Sequence, residues 1–212
     1  MKKEPITAML FLLLCASISD AQLIKSYGVK VSYTSTSQTV DFVIPTPAQR
    51  WTEMKPSARG GFGVAAFAEW FNLPIFSIVS QVEYAQRGAH MLYPLPGGWG
   101  LTDGSMDYIS IPVLAKLTAP LGAFNPYVLA GPRADFLVSY HYDAIYPNNS
   151  IYSDLNKATL GGSAGVGVQT NSILPVSLSA ELRYDFDFFN SYNHADLNVH
   201  NDAFEIWIGV SL

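Results

Sequence analysis

Cysteine is almost missing from this chain. The single one, Cys15, lies in an apolar run near the N-terminus. No disulfide or thiolate chemistry is expected of the remainder. Charge is also scarce: only 14% of the 212 residues are charged, and the net charge is -5. A soluble domain usually carries about a quarter charged residues. The acidic balance argues against a nucleic-acid partner, which would call for a basic patch. Beyond the N-terminal region, no segment offers the roughly 20 apolar residues a membrane helix needs. Helical periodicity is scarce as well.

What is present begins with Lys2 and Lys3, followed by an apolar run from Ala8 to Ile18 and then Ser19-Asp20-Ala21. This is the pattern of a secretory signal peptide over residues 1–21, leaving residues 22–212 as one domain. Leu14 stands before Cys15 where lipid attachment would need a small residue. Aromatics make up 13% of the chain, and the mean hydropathy is positive. An exported, weakly charged, apolar chain without a membrane helix points to a membrane β-barrel.

Period-2 alternation recurs eight times, near residues 25–35, 60–70, 75–87, 107–118, 124–136, 159–169, 176–187 and 202–212. The connections alternate in length. Residues 36–59, 88–106, 137–158 and 188–201 are long. Phe71–Pro74, Ala119–Ala123 and Thr170–Pro175 are short. These features predict an all-β, eight-stranded antiparallel up-and-down transmembrane β-barrel, with long external loops and short periplasmic turns.

The segment YISIPVLAKL, Tyr108–Leu117, poses the question of which face meets lipid. Ile109, Ile111, Val113, Ala115 and Leu117 form one face. Tyr108, Ser110, Pro112, Leu114 and Lys116 form the other. A sandwich and a membrane barrel give the same alternation. The polar faces here are poor in long solvated Lys and Glu, and the apolar faces carry Tyr27, Tyr33, Phe62, Trp70, Phe76 and Tyr84 near strand ends. Such aromatic girdles favour the barrel, with the apolar face to lipid. Pro112, lacking a ladder donor, is expected to mark a bulge or a broken hydrogen bond. A soluble lipocalin-like carrier, with the same faces turned inside out and a lipid in an apolar interior, stays open as a rival.

YISIPVLAKL, the turn APLGA and the strand PYVLAGPRADFL (Pro126–Leu137) together resemble the PorT-like small outer-membrane barrel domain proteins. The resemblance implies the barrel, an outer-membrane location in a Gram-negative envelope and contact with lipid, lipopolysaccharide and the barrel-assembly machinery. Some members serve protein export, so an accessory role in a secretion or uptake complex is one expectation. The chain departs from the usual pattern by ending on Leu212 rather than an aromatic.

On these registers the lumen receives Lys30, Glu69, Glu83, Arg87, Lys116, Arg133, Asp135, Glu181, Arg183, Asp185 and Glu205. Eight strands leave an interior just wide enough for side chains to fill. The near-neutral sum favours a packed ion-pair network over an ion path or proton relay, since a selective pore would favour one sign. His90, His141, His194 and His200 fall in expected loops. His194 and His200, with Asp185, Asp187, Asp196 and Asp202, could gather a divalent cation, although no zinc spacing appears. Tyr140, Tyr142, Tyr146 and Tyr152 sit among Asp and Asn in the third long loop, a composition suited to recognition. No Ser/His pair stands at matching height on one strand, so neither catalysis nor a cofactor is expected. The protein is expected to act through its external loops, in adhesion, ligand contact or envelope stability.

Overall fold

The computed structural model describes residues 23–42, 55–71, 73–95, 98–143, 155–170, 176–191 and 197–212. The expected signal peptide lies outside them. Eight strands follow in order: β1 (Ile24–Phe42), β2 (Lys55–Trp70), β3 (Phe76–Leu95), β4 (Gly98–Thr118), β5 (Phe124–Asp143), β6 (Ala158–Thr170), β7 (Ser177–Asp187) and β8 (Leu197–Ser211). Each pairs antiparallel with its neighbour, and β1 pairs with β8 from Gly28↔Ser211 to Phe42↔Leu197. The sheet is therefore a closed barrel, which leaves no unpaired strand edge to face hydrocarbon. Among the described residues, no helix is long and apolar enough to cross a membrane.

The two faces of Tyr108–Leu117 separate cleanly. Ile111, Val113 and Leu117 are exposed on the outside, while Tyr108, Leu114 and Lys116 are buried within. The outward set continues around the wall with Tyr27, Val29, Val31, Phe62, Val64, Val128, Leu182, Phe204, Ile206 and Ile208. This is the inverse of a soluble protein, and it needs an apolar surrounding. A lipocalin-like carrier is excluded by the interior, where arginine, lysine and carboxylate side chains are buried.

Ser80 interrupts the apolar outer face of β3. Its hydroxyl accepts a hydrogen bond from the Trp70 indole at 2.7 Å, so neither polar group is left bare. Pro112 causes no bulge. The β3–β4 ladder lapses between Ser80↔Val113 and Glu83↔Ser110 and resumes in the same register. The register shift in β4 lies instead at Asp107/Tyr108, against β5.

The strands are longer than their alternation indicates. Residues 88–106, expected as a long loop, are mostly strand: β3 and β4 stay paired to Leu95↔Gly98. β1 likewise continues to Phe42, β5 to Asp143 and β8 back to Leu197. Backbone pairing persists beyond the apolar belt because a ladder needs only a neighbouring strand, whereas alternation needs lipid on one side. In consequence His90 lies on β3, His141 on β5 and His200 on β8, not in loops. At the opposite end the connections are tight, and Gly122 takes a left-handed φ of 99° within Ala119–Ala123.

Candidate functional site: the lumen network

The lumen begins, at the end with the tight turns, with a carboxylate shared by two lysines. Glu69 on β2 binds Lys25 at 2.7 Å and Lys116 at 2.9 Å, and it accepts the Ser77 hydroxyl at 2.7 Å. Lys116 also donates to Gln169 at 2.5 Å and lies 4.3 Å over the Tyr127 ring. Beside it, Glu181 on β7 accepts Lys30 at 2.9 Å, Tyr127 Oη at 2.9 Å and Arg183 Nε at 2.8 Å. An apolar cluster of Val79, Leu114, Tyr127 and Leu129, with Phe67 against it, packs here, and a cavity of about 20 Å³ remains between it and the ion pairs of Lys30, Glu69, Lys116 and Glu181.

Midway, Arg183 crosses the barrel to Glu83 Oε2 at 3.2 Å and to Gln81 at 3.1 Å. Its guanidinium lies 5.1 Å from the Trp207 ring. Further along, Arg87 binds Asp135 and Asp185, each at 3.0 Å. Arg133 reaches Asp135 at 2.8 Å, Asp185 at 2.8 Å and Asp187 at 3.0 Å. Asp187 then accepts from Ser191 at 2.7 Å and from Asn201 Nδ2 at 3.0 Å, and Gln38 donates to Asn201 at 2.8 Å.

Room for these side chains comes from β6. Arg133 is paired with Gly161 and Tyr127 with Gly167. A Cβ on Gly161 would press on the Arg133 guanidinium, and one on Gly167 would overlap the Tyr127 ring. Glycine is required at both because large side chains approach the backbone closely there.

Lys30, Glu69, Glu83, Arg87, Lys116, Arg133, Asp135, Glu181, Arg183, Asp185 and Glu205 all face inward and are buried. Buried charges are costly unless paired and hydrogen-bonded. Ten of these eleven are in ion pairs with one another or with Lys25 and Asp187. Lys25 and Asp187 were not among the expected lumen charges. Asp187 shares the parity of Glu181, Arg183 and Asp185, which was the signal for it. Tyr127 and Trp207 were also missed as polar partners, because an aromatic on a lumen face reads as filling.

Among the described residues, the aspartates of the grouping expected around His194 and His200 are divided between the two faces of the wall. Asp185 and Asp187 point into the lumen, whereas Asp202 accepts from Tyr184 Oη at 3.0 Å on the outer wall. His194 and Asp196 lie outside the described residues. Of the four tyrosines, Tyr140 is on β5 and exposed, and Tyr142 is on the same strand. Tyr146 and Tyr152 lie outside the described residues. The acidic side chains that do converge are Glu83, Asp185 and Glu205, with one oxygen of each within 4.8 Å of the others.

An apolar-walled, eight-stranded closed barrel filled with ion pairs is a small transmembrane β-barrel. Residues 21–193 match the outer membrane protein β-barrel domain, and the chain belongs to that family and to the outer membrane. The fold is similar to that of the outer membrane protein OprG from Pseudomonas aeruginosa. There the identity is 8%, the TM-score 0.50, and 90% of this chain and 96% of that chain are covered. It is also similar to Neisserial surface protein A, at 16% identity and TM-score 0.46, covering 88% and 96%. The attachment invasion locus protein Ail of Yersinia pestis is similar at 13% identity and TM-score 0.39, covering 88% and 98%. At such identities the likeness concerns the fold alone. No curated protein matches the chain.

Proposed function

We propose that the protein is a non-enzymatic, non-conducting barrel whose work is done at its external end, in adhesion, ligand contact or envelope stability. The observation that carries this reading is the Arg183–Glu83 pair, which ties β7 to β3 across the lumen at 3.2 Å. With the interior occupied by such pairs, solute has no open path, and the surfaces left for contact are the lipid face and the external ends of the strands. Tyr140, exposed at the external part of β5, begins the tyrosine-rich segment that continues through Tyr142, Tyr146 and Tyr152. Tyrosine offers large amphipathic contact area at low entropic cost.

The test is made on whole cells. Replacing Tyr140, Tyr142, Tyr146 and Tyr152 together by alanine is expected to abolish attachment to immobilised glycan or protein surfaces, with the heat-dependent electrophoretic shift of the barrel unchanged. Unaltered attachment and unaltered detergent sensitivity in cells lacking the whole protein would remove this reading. A defect in protein export in those cells would favour the accessory role that the PorT-like resemblance implies.

A further inference from the structure

Six buried or half-buried cations, Lys25, Lys30, Arg87, Lys116, Arg133 and Arg183, are ion-paired with six carboxylates, Glu69, Glu83, Asp135, Glu181, Asp185 and Asp187. That network balances without Glu205. Glu205 on β8 is only 1% exposed. Among the described residues its single hydrogen bond is from the Trp207 indole, at 2.6 Å to Oε2. It adds one negative charge, and among the described residues it is in no ion pair.

The uncompensated charge sits beside two others. One oxygen each of Glu83, Asp185 and Glu205 lies within 4.8 Å of the others. One oxygen of each carboxylate is engaged: Glu83 Oε2 by Arg183, Asp185 Oδ2 by Arg87 and Arg133, and Glu205 Oε2 by Trp207. Glu83 Oε1, Asp185 Oδ1 and Glu205 Oε1 have no hydrogen-bond partner. Thr34, the register partner of Glu205 across β1–β8, is fully buried, faces the same interior and has an unpartnered hydroxyl. Three converging carboxylates in a low-dielectric interior, each with an unpartnered oxygen, repel one another, and two such groups stay close when they share a proton.

We propose that Glu83, Asp185 and Glu205 together hold one proton at neutral pH, so that the barrel contains a neutral carboxylic acid hydrogen-bonded to a neighbouring carboxylate. The count favours a proton over a metal ion. One positive charge neutralises Glu205, whereas a divalent ion would leave the interior one charge in excess. The surroundings favour it too. A hard cation needs six or more oxygen ligands. The charged and titratable groups facing the cluster are Arg87 on β3, Tyr108 on β4, Arg133 and Asp135 on β5, and Arg183 on β7. Three of these five are guanidinium groups, which repel a metal. On β1, β2 and β6 the register partners of Glu205, Glu83 and Asp185 are Thr34, Ala65 and Ser163, none of them charged.

Infrared spectroscopy of the whole barrel in vesicles tests this. The wild type is expected to show a carboxylic-acid carbonyl band at neutral pH that shifts in deuterated water. The band is expected to be lost in Glu205→Gln, whose amide supplies the same donor without the charge, or in Glu83→Gln or Asp185→Asn. At least one of these variants is expected to keep or raise the heat-shift temperature. A wild type without the band overturns the proposal, as does a band that survives all three substitutions. A heat-shift temperature moved by calcium or by a chelator also overturns it, in favour of a metal ion. The wild-type spectrum decides even where a variant fails to fold.

Discussion

Arg183 on β7 and Glu83 on β3 are bonded at 3.2 Å, although their strands lie four apart in either direction round the barrel. The pair therefore spans the lumen. Arg183 also holds Glu181, at 2.8 Å through Nε, and Gln81 at 3.1 Å. Replacing it with methionine keeps the volume but leaves Glu83 buried without its ion-pair partner. Breaking a buried pair from one side costs about 3–5 kcal/mol. Arg183→Met is expected to unfold in urea at a clearly lower concentration than the wild type, when both are followed by the heat-dependent mobility shift in lipid. An unchanged midpoint would show that the crossing does not brace the barrel.

The same pair predicts an electrical result. The lumen holds Arg87, Arg133, Arg183 and their carboxylates, with Val79, Leu114 and Leu129 below them, and an eight-stranded interior is just wide enough for side chains to fill. Purified protein in planar bilayers is expected to give no steady conductance. Reproducible single-channel steps from the wild type would mean that the network opens.

Gly167 tests the packing that lets the network form. The Tyr127 ring occupies the space where its Cβ would stand, and Tyr127 Oη donates to Glu181 at 2.9 Å. Gly167→Val drives the ring away and removes that hydrogen bond. Overpacking of this kind costs about 1–3 kcal/mol. The heat-shift temperature is expected to fall, and Tyr127→Leu combined with Gly167→Val should fall by less than the sum of the two, because the variants disturb one contact.

These relationships differ in how far the chain reveals them. Ile109, Ile111, Val113, Ala115 and Leu117 stand on one face in the primary structure and on the outer wall in the fold, because a two-residue period leaves no other choice once lipid takes the apolar side. The parity of Lys30, Glu83, Arg87 and Arg183 is legible in the same way. Their partners are not. Glu83 and Arg183 are a hundred residues apart, and which charges meet depends on tilt and stagger, which alternation does not encode. Strand ends were lost for a different reason. His90 and Asp103 are paired in the β3–β4 ladder, but they lie in the stretch expected as a loop, where the apolar alternation has stopped. The interior cluster of Val79, Leu114 and Leu129 is hidden as well, since an apolar residue on a lumen face carries no sign of the partners it meets across the barrel.

Val113 gives the sharpest test of which way the wall faces. It lies within the apolar row Ile109–Leu117 and is 45% exposed on the outside. Its neighbour Leu114 is fully buried within. An arginine at the hydrocarbon midplane of a barrel costs about 2–4 kcal/mol, and much less near the interfaces. Val113→Arg is therefore expected to lower stability in lipid by that amount, while the same substitution at Tyr27 or Tyr33, in the aromatic girdles, costs under about 1 kcal/mol. Urea titrations in vesicles measure both. Equal small losses at Val113 and Tyr33 would mean that this surface is wet. A graded loss, largest at Val113, follows from a wall whose outer face is set by the hydrocarbon it meets.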